Sequence, residues 1–249
     1  MHPPQTREEP AAAVDVHLLG LVDFDAGLAL QQRLVYETSG RADGRIALLV
    51  CEHPAAISVG RQGSWAHIRL DREGLERRQL AVRWLARGGG CVMHAPGQLA
   101  VYPIVPLAWH GWSVGEYLNR LQGGLQAAIA ELGVAGQTRA GRHGLWGRGG
   151  LLAAFGIAVR HGVASHGAFL NVHPALRPFR HVNMDPAGGA ATSSLVAERR
   201  QPIRMGRARE AVIRRLAEAF DAPRYHLFTG HPLFDTALRD SREPAARAG

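Results

Sequence analysis

Apolar residues recur along this chain with two different periods, and the switches between them outline its elements. The helical period is clearest over residues 114–132, where Val114, Leu118, Leu121, Leu125, Ala128, Ile129 and Leu132 fall on one stripe. Side chains three and four residues apart share a helix face, so the stripe predicts a helix packed on the core and not a cofactor site. Ser113 and Glu116 precede it as a capping box, and Gly133 follows as its stop. A second helix is predicted over 25–36, with Leu28, Leu30, Leu34 and Val35 apolar. A third covers 206–220, where Ala211, Val212, Leu216, Ala219 and Phe220 oppose an arginine-rich outer face. Residues 71–79 read as a charged helix.

The other segments read as strands. The unbroken apolar run at 46–51, closed by His53-Pro54, predicts a buried strand. Residues 14–22, 57–59 and 81–85 suit shorter ones, and 144–172 reads as successive strands turned at the glycines of 147–150 and near His161-Gly162. With no linker and no internal repeat, the expected architecture is one α/β domain over 14–230, a mixed central sheet flanked by helices. Residues 1–13 and 240–249 are expected to be flexible tails. No run approaches the roughly 18 apolar residues of a membrane span, and the first ten residues are polar, unlike a signal peptide. The expectation is a cytoplasmic protein with no membrane partner.

Charge alters this picture in one respect. The formal net charge is +8, and all 29 basic residues are arginine. Arginine stays protonated at any working pH and cannot serve as a titrating amine, so a mechanism that needs a lysine of this chain is excluded. A basic surface suits acidic partners. No nucleic-acid motif accompanies it and aromatic residues are sparse, so nucleic acid is not an expected partner. The two cysteines, Cys51 and Cys91, make neither a disulfide framework nor a metal spacing, and Cys51 sits in an apolar run as a core residue would. The 13 histidines are scattered, and neither a metal nor another cofactor is expected.

Three glycine-rich stretches are the candidates for chemistry. The first runs from Arg87 through Gly88, Gly89, Gly90, Cys91 and His94 to Gln98. Its consecutive glycines allow close backbone approach to a ligand, and Arg87 and His94 are able to bind a carbonyl or a phosphate. The second contains Leu151, Leu152, Ala153, Ala154, Phe155 and Gly156; the third contains His166, Gly167, Ala168, Phe169, Leu170 and Asn171. Small residues that interrupt apolar strands suit either a narrow acyl slot or tight strand packing.

Taken in order, these stretches resemble the octanoyl-carrier-protein:protein octanoyltransferases of lipoate biosynthesis, within the biotin and lipoate protein ligase superfamily. The likeness begins at the predicted helix over 25–36. It continues through Cys51-Glu52-His53-Pro54, Arg87-Gly88-Gly89, His94-Ala95-Pro96-Gly97-Gln98 and Gly141-Arg142-His143-Gly144-Leu145-Trp146, and ends past Pro186-Ala187-Gly188 and Thr192-Ser193-Ser194-Leu195. The resemblance implies a mixed sheet with an acyl tunnel, and octanoyl-loaded acyl carrier protein and lipoyl domains as partners. It also implies a cysteine that takes up the acyl group and a lysine that tunes it. Both are replaced here: Leu151 stands at the lysine position and Ala187 at the cysteine position. Val92, Met93 and Ala95 also depart from the pattern.

The substrate-binding set implied by the resemblance is Arg87, Gly88, Gly89, Gly90, His94, Ala154, Phe155, Gly156, His166, Gly167, Ala168 and Phe169. Gly88, Gly89, Gly156 and Gly167 are expected to converge on one pocket, with Leu151 facing Ala187. The leading reading is an octanoyltransferase homologue that keeps the tunnel frame, acts in or near protein lipoylation and lacks the family mechanism. One alternative is a non-catalytic binder of an acyl group, a carrier protein or a lipoyl domain. The other is an acyltransferase that uses Cys91 as a relocated nucleophile, activated by Arg87 and His94, or that works by direct aminolysis.

Overall fold

Ser113 begins the central helix as its sequence predicts: its hydroxyl accepts from the Glu116 N–H while the Glu116 carboxylate accepts from the Ser113 N–H. The computed structural model describes residues 13–185, 191–222 and 224–234. The expected tail at 240–249 and all but residue 13 of that at 1–13 lie outside the described residues, as does Ala187.

In chain order, β1 (Val14–Leu21) leads to α1 (Phe24–Ser39), capped by the Asp23 carboxylate, which accepts from the Asp25 and Ala26 N–H groups. Next come β2 (Ile46–Glu52), β3 (Ala56–Val59), the short α2 (Arg72–Arg77), β4 (Ala81–Trp84), β5 (Cys91–His94) and β6 (Gln98–Pro106). After α3 (Val114–Glu131) follow β7 (Gln137–Arg139), β8 (Arg142–Trp146), β9 (Leu151–Arg160) and β10 (Val163–Asn171). Then come α4 (Leu195–Arg199), α5 (Met205–Ala219) and β11 (Tyr225–Thr229).

Eight strands form the main sheet in the order β11-β1-β2-β6-β10-β9-β8-β7. β1 runs parallel to both of its neighbours and the later pairs are antiparallel, so the sheet is mixed, as expected. α3 and α5 cover one face: Leu48, Val50, Leu99, Val101, Phe155 and Ala168 join Leu121, Leu125 and Leu216 in one apolar cluster. Leu49, Cys51, Ala100, Tyr102, Ala154 and Phe169 point the other way, toward α1 and a small second sheet. That sheet has the order β4-β3-β5.

Three features depart from the sequence reading. The glycine-rich stretch from Arg87, assigned no element from sequence, becomes strand at Cys91–His94, because β3 offers it an antiparallel partner with Val59 opposite Cys91 and Ala56 opposite His94. The first helix runs three residues past Tyr36 to Ser39. β7 and β11, short and with mostly exposed residues, carry no apolar alternation that the sequence could reveal. Among the described residues no helix is long and apolar enough to cross a membrane.

Candidate functional site

The buried Arg87 organises the glycine-rich stretches. Its Nη1 donates to the Gly88 carbonyl at 2.9 Å; its Nη2 donates to the Ser58 hydroxyl at 2.7 Å and to the Ser58 carbonyl at 3.2 Å. The guanidinium stands 5.7 Å from the Phe169 ring centroid, and its Nε has no partner among the described residues. Burial pulls its pKa down to about 10, so it remains a cation at neutral pH. Glycines make this packing possible. A Cβ on Gly156 would lie 2.6 Å from the Gly88 carbonyl oxygen and 2.7 Å from Arg87 Nη1, and one on Gly60 would lie 2.5 Å from the Gly89 carbonyl oxygen.

From Arg87 a directed chain of hydrogen bonds crosses the buried interior. Gln98 Oε1 can only accept, so His94 Nδ1 carries the proton given to it, at 3.1 Å, and Nε2 accepts from the Ser58 hydroxyl at 2.8 Å. Gln98 Nε2 donates to Asn171 Oδ1 at 2.9 Å, and Asn171 Nδ2 donates to the Leu151 carbonyl at 3.4 Å. Arg87, Ser58, His94, Gln98 and Asn171 thus join the glycine-rich turn to the backbone of Leu151. Ser58 lies in none of the three glycine-rich stretches; Gln98 and Asn171 stand in the first and third but were not in the expected substrate-binding set. Ser58 meets Arg87 from 29 positions away and Gln98 meets Asn171 from 73, pairings that no local pattern announces.

The structure divides the sequence-derived set. Gly88, Gly89 and Gly156 do meet, lining a cleft of about 200 Å³ with Arg61, Gln62 and Phe155. The Gly88 N–H donates to the Ile157 carbonyl at 2.8 Å, and the Gly90 carbonyl accepts from the Gly60 N–H. Gly167 pairs with Gly156 across β9 and β10, but its missing side chain faces β6, where a Cβ would sit 2.1 Å from the Val101 carbonyl oxygen. Its role is the close approach of two strands. The pleat also separates residues adjacent in sequence: Ala154 and Phe169 lie on the face of His94, whereas Phe155 and Ala168 lie on the α3 face. His166 instead lines a second cavity of about 500 Å³, beside Leu28, Gln31 and Val35 of α1. Its backbone is left-handed at φ 56, and its N–H donates to Gln31 Oε1 at 3.1 Å.

Both candidate histidines are held neutral. His94 lies well below the ordinary imidazole range through burial, reinforced by the nearby His53 and Arg87. Burial, then the Arg87 charge, brings His166 down to about 4 from 6.5. The unfolded chain takes up protons as the pH falls below 6.5 while the folded chain does not. The histidine contribution is therefore complete above that value and declines toward 4 as the pH drops. The expected decline is about 1.4 kcal/mol per pH unit for each group. Thermal midpoints at about pH 7.5 and about pH 5 measure it, and equal midpoints would show that these imidazoles are solvated.

Neither thiol is poised for nucleophilic work. Cys91 is fully buried on β5 and its thiol donates to the Ser64 carbonyl at 3.7 Å; burial raises its pKa, and the Arg87 charge does not offset this. The activation expected from Arg87 and His94 therefore gives way to desolvation. Cys51 lies 3.5 Å from His53 Nε2, but that nitrogen accepts from the Tyr102 hydroxyl at 2.7 Å, and burial drives the thiol far above its usual range.

Leu151 is buried at the start of β9 in the cluster that contains Met93, Trp146, Phe179 and Met184. Its N–H donates to the Ala191 carbonyl at 2.9 Å and its carbonyl accepts from the Ser193 N–H at 3.0 Å. Whether Leu151 faces Ala187 lies outside the described residues. Among the described residues no group of three or more histidine, cysteine or acidic side chains is placed to hold a metal ion.

The fold, a mixed eight-stranded sheet beside a small second sheet, is similar to that of lipoate protein ligases. The profile of the "Lipoyl protein ligase A/B catalytic domain" matches residues 23–218. A bipartite lipoate protein ligase from Thermoplasma acidophilum has the same fold, with TM-score 0.70 at 14% identity over 91% of each chain. Sequence relatives are closer. An octanoyltransferase of Geobacter metallireducens is 36% identical over 86% of this chain and 97% of its own. One from Roseiflexus sp. is 33% identical over 83% and 87%. The chain belongs to the octanoyltransferase family of the biotin and lipoate ligase superfamily.

Proposed function

We propose that this chain acts in protein lipoylation as a binder and not as a transferase, engaging octanoyl-loaded acyl carrier protein or a lipoyl domain without forming an acyl-cysteine. The observation that carries this reading is Leu151, an isobutyl group buried where the family's lysine would stand, in a chain with no lysine at all. Arginine cannot replace that amine, because it does not release its proton near neutral pH. Alanine at position 187 removes the sulfur. The two remaining thiols are buried and raised, so a thiolate is scarce at either.

The test mixes the purified protein with octanoyl-loaded carrier protein. The expected result is complex formation with no hydroxylamine-sensitive octanoyl mass on the chain. A gain of that mass would overturn the reading, and its loss in Cys91→Ser but not Cys51→Ser would assign the nucleophile to Cys91. In the folded protein Cys91 is expected to react with iodoacetamide at least about tenfold more slowly than a free thiol, since only the thiolate attacks. Rapid alkylation of Cys91 would return the relocated nucleophile to consideration.

A further inference from the structure

The cavity that best fits a ligand of definite charge lies outside the glycine-rich stretches, between residues 67–70 and the 3-10 turn Pro178–His181. It measures about 440 Å³, and both Arg69 and Arg180 line it. Their placement follows from a short antiparallel clasp: Ile68 bridges Val182, the Arg69 N–H donates to the His181 carbonyl at 2.8 Å, and the Asn183 N–H donates to the His67 carbonyl at 2.7 Å. Ile68 and Val182 turn into the apolar interior, and Arg69 and Arg180 are exposed. Neither guanidinium has an ion pair or a side-chain hydrogen bond among the described residues, unlike Arg72, which lines another cavity and is paired to Glu76 at 2.9 Å. Two unpaired cations thus share one hollow. The apolar Phe179 and Val182 form part of its lining, and Asn183 and Thr192 add polar groups.

We infer that this cavity binds the phosphate ester of an extended, weakly polar arm of the phosphopantetheine type, with Arg69 and Arg180 on the phosphate. Guanidinium presents paired N–H donors that match phosphate oxygens, and two such groups balance a doubly charged anion. A carboxylate would need only one of them. The apolar lining suits the arm, and two of the lining residues adjoin Leu151: Thr192 is bridged to it, and the Ala191 carbonyl accepts from its N–H. The proposal rests on the binder reading above, because it says which part of a carrier's arm this chain would hold.

The arm could be borne by a carrier protein or be free in coenzyme A, and titration calorimetry separates the two. Pantetheine 4′-phosphate and coenzyme A are titrated alongside unphosphorylated pantetheine, and holo-carrier protein alongside the apo form, which lacks the arm. Pantetheine 4′-phosphate is expected to bind at least tenfold more tightly than pantetheine, and Arg69→Gln with Arg180→Gln is expected to remove that advantage. Arg204→Gln with Arg207→Gln, a change of equal charge at exposed arginines at the start of α5, is expected to leave it intact. Because Arg69 and Arg180 are surface residues, the thermal midpoint of their double variant should match that of the parent.

Preference for holo- over apo-carrier assigns the arm to a carrier, and tight binding of coenzyme A alone assigns it to the free source. Equal binding of pantetheine and its phosphate, or equal losses in the two double variants, would overturn the site. If holo-carrier binding survives Arg69→Gln with Arg180→Gln, the site is wrong and the binder reading stands. If the parent instead gains an octanoyl thioester while the phosphate preference persists, the binder reading is wrong and the site stands.

Discussion

Gly156→Ala is expected to lower the stability of this protein by about 3 kcal/mol, the upper part of the range for overpacking a tight interior. For a chain of this size that corresponds to a fall of roughly 6–12 °C in thermal midpoint. The new methyl would stand 2.6 Å from the Gly88 carbonyl oxygen, 2.7 Å from Arg87 Nη1 and 3.0 Å from Arg87 Cδ. None of these atoms is free to yield. Gly88 is tied by its N–H to Ile157 on the same strand, and the guanidinium is held by Gly88 and Ser58. Moving Arg87 would also break the first link of the chain to His94, leaving a buried cation short of acceptors. Gly123→Ala provides the contrast. That glycine lies on the exposed side of α3 with nothing within 4 Å of a Cβ, so alanine there is expected to stabilise by about 0.4–1 kcal/mol through the unfolded state. Chemical denaturation of both variants measures the difference. Equal midpoints for Gly156→Ala and the parent would mean that the arginine does not pack as described.

Leu151→Lys combined with Ala187→Cys is expected to bring octanoyl transfer to a lipoyl domain from none to a measurable trace, whereas either change alone should yield nothing. A lone thiol is mostly protonated at neutral pH, and a lone lysine has nothing to activate. The lysine would enter an apolar cluster with Met93, Trp146, Phe179 and Met184. Burial of that kind depresses a lysine pKa by up to about three units, which suits an amine that must lose a proton and lowers stability by on the order of 4 kcal/mol. Trp146 Nε1, a donor with no partner among the described residues, lies nearby and offers the ammonium no acceptor. Intact-mass measurement of the lipoyl domain after incubation with octanoyl-carrier protein reads the outcome. A double variant that stays folded, by circular dichroism, yet transfers nothing would show that more than the pair separates this chain from its relatives. Val92, Met93 and Ala95, which the resemblance marks as departures, are then the next to change: all three are buried, the first two on β5.

Several decisive features could be read from residues in order. The α3 helix, its capping box and its glycine stop are local events, so periodicity and end signals sufficed. The buried run of β2 was equally plain. The absence of lysine is complete in the sequence and needs no coordinates. Other features depended on contacts between distant segments. Arg87 looked like a ligand-binding side chain beside glycines; folding turned those glycines into the space that buries it. His94 stood in the sequence as a residue able to bind a carbonyl or a phosphate; only the pairing of β5 with β3 shows it held between Ser58 and Gln98. Periodicity reports that a side chain faces inward and not which partner it will meet there. The polar partners of this interior, drawn from β3, β5, β6 and β10, become neighbours only when the two sheets close on one another. The same limit applies to the cavity of Arg69 and Arg180, which lie 111 positions apart in the numbering. Composition determined that no lysine amine is available, and the packing of the two sheets decided where the arginine charges stand.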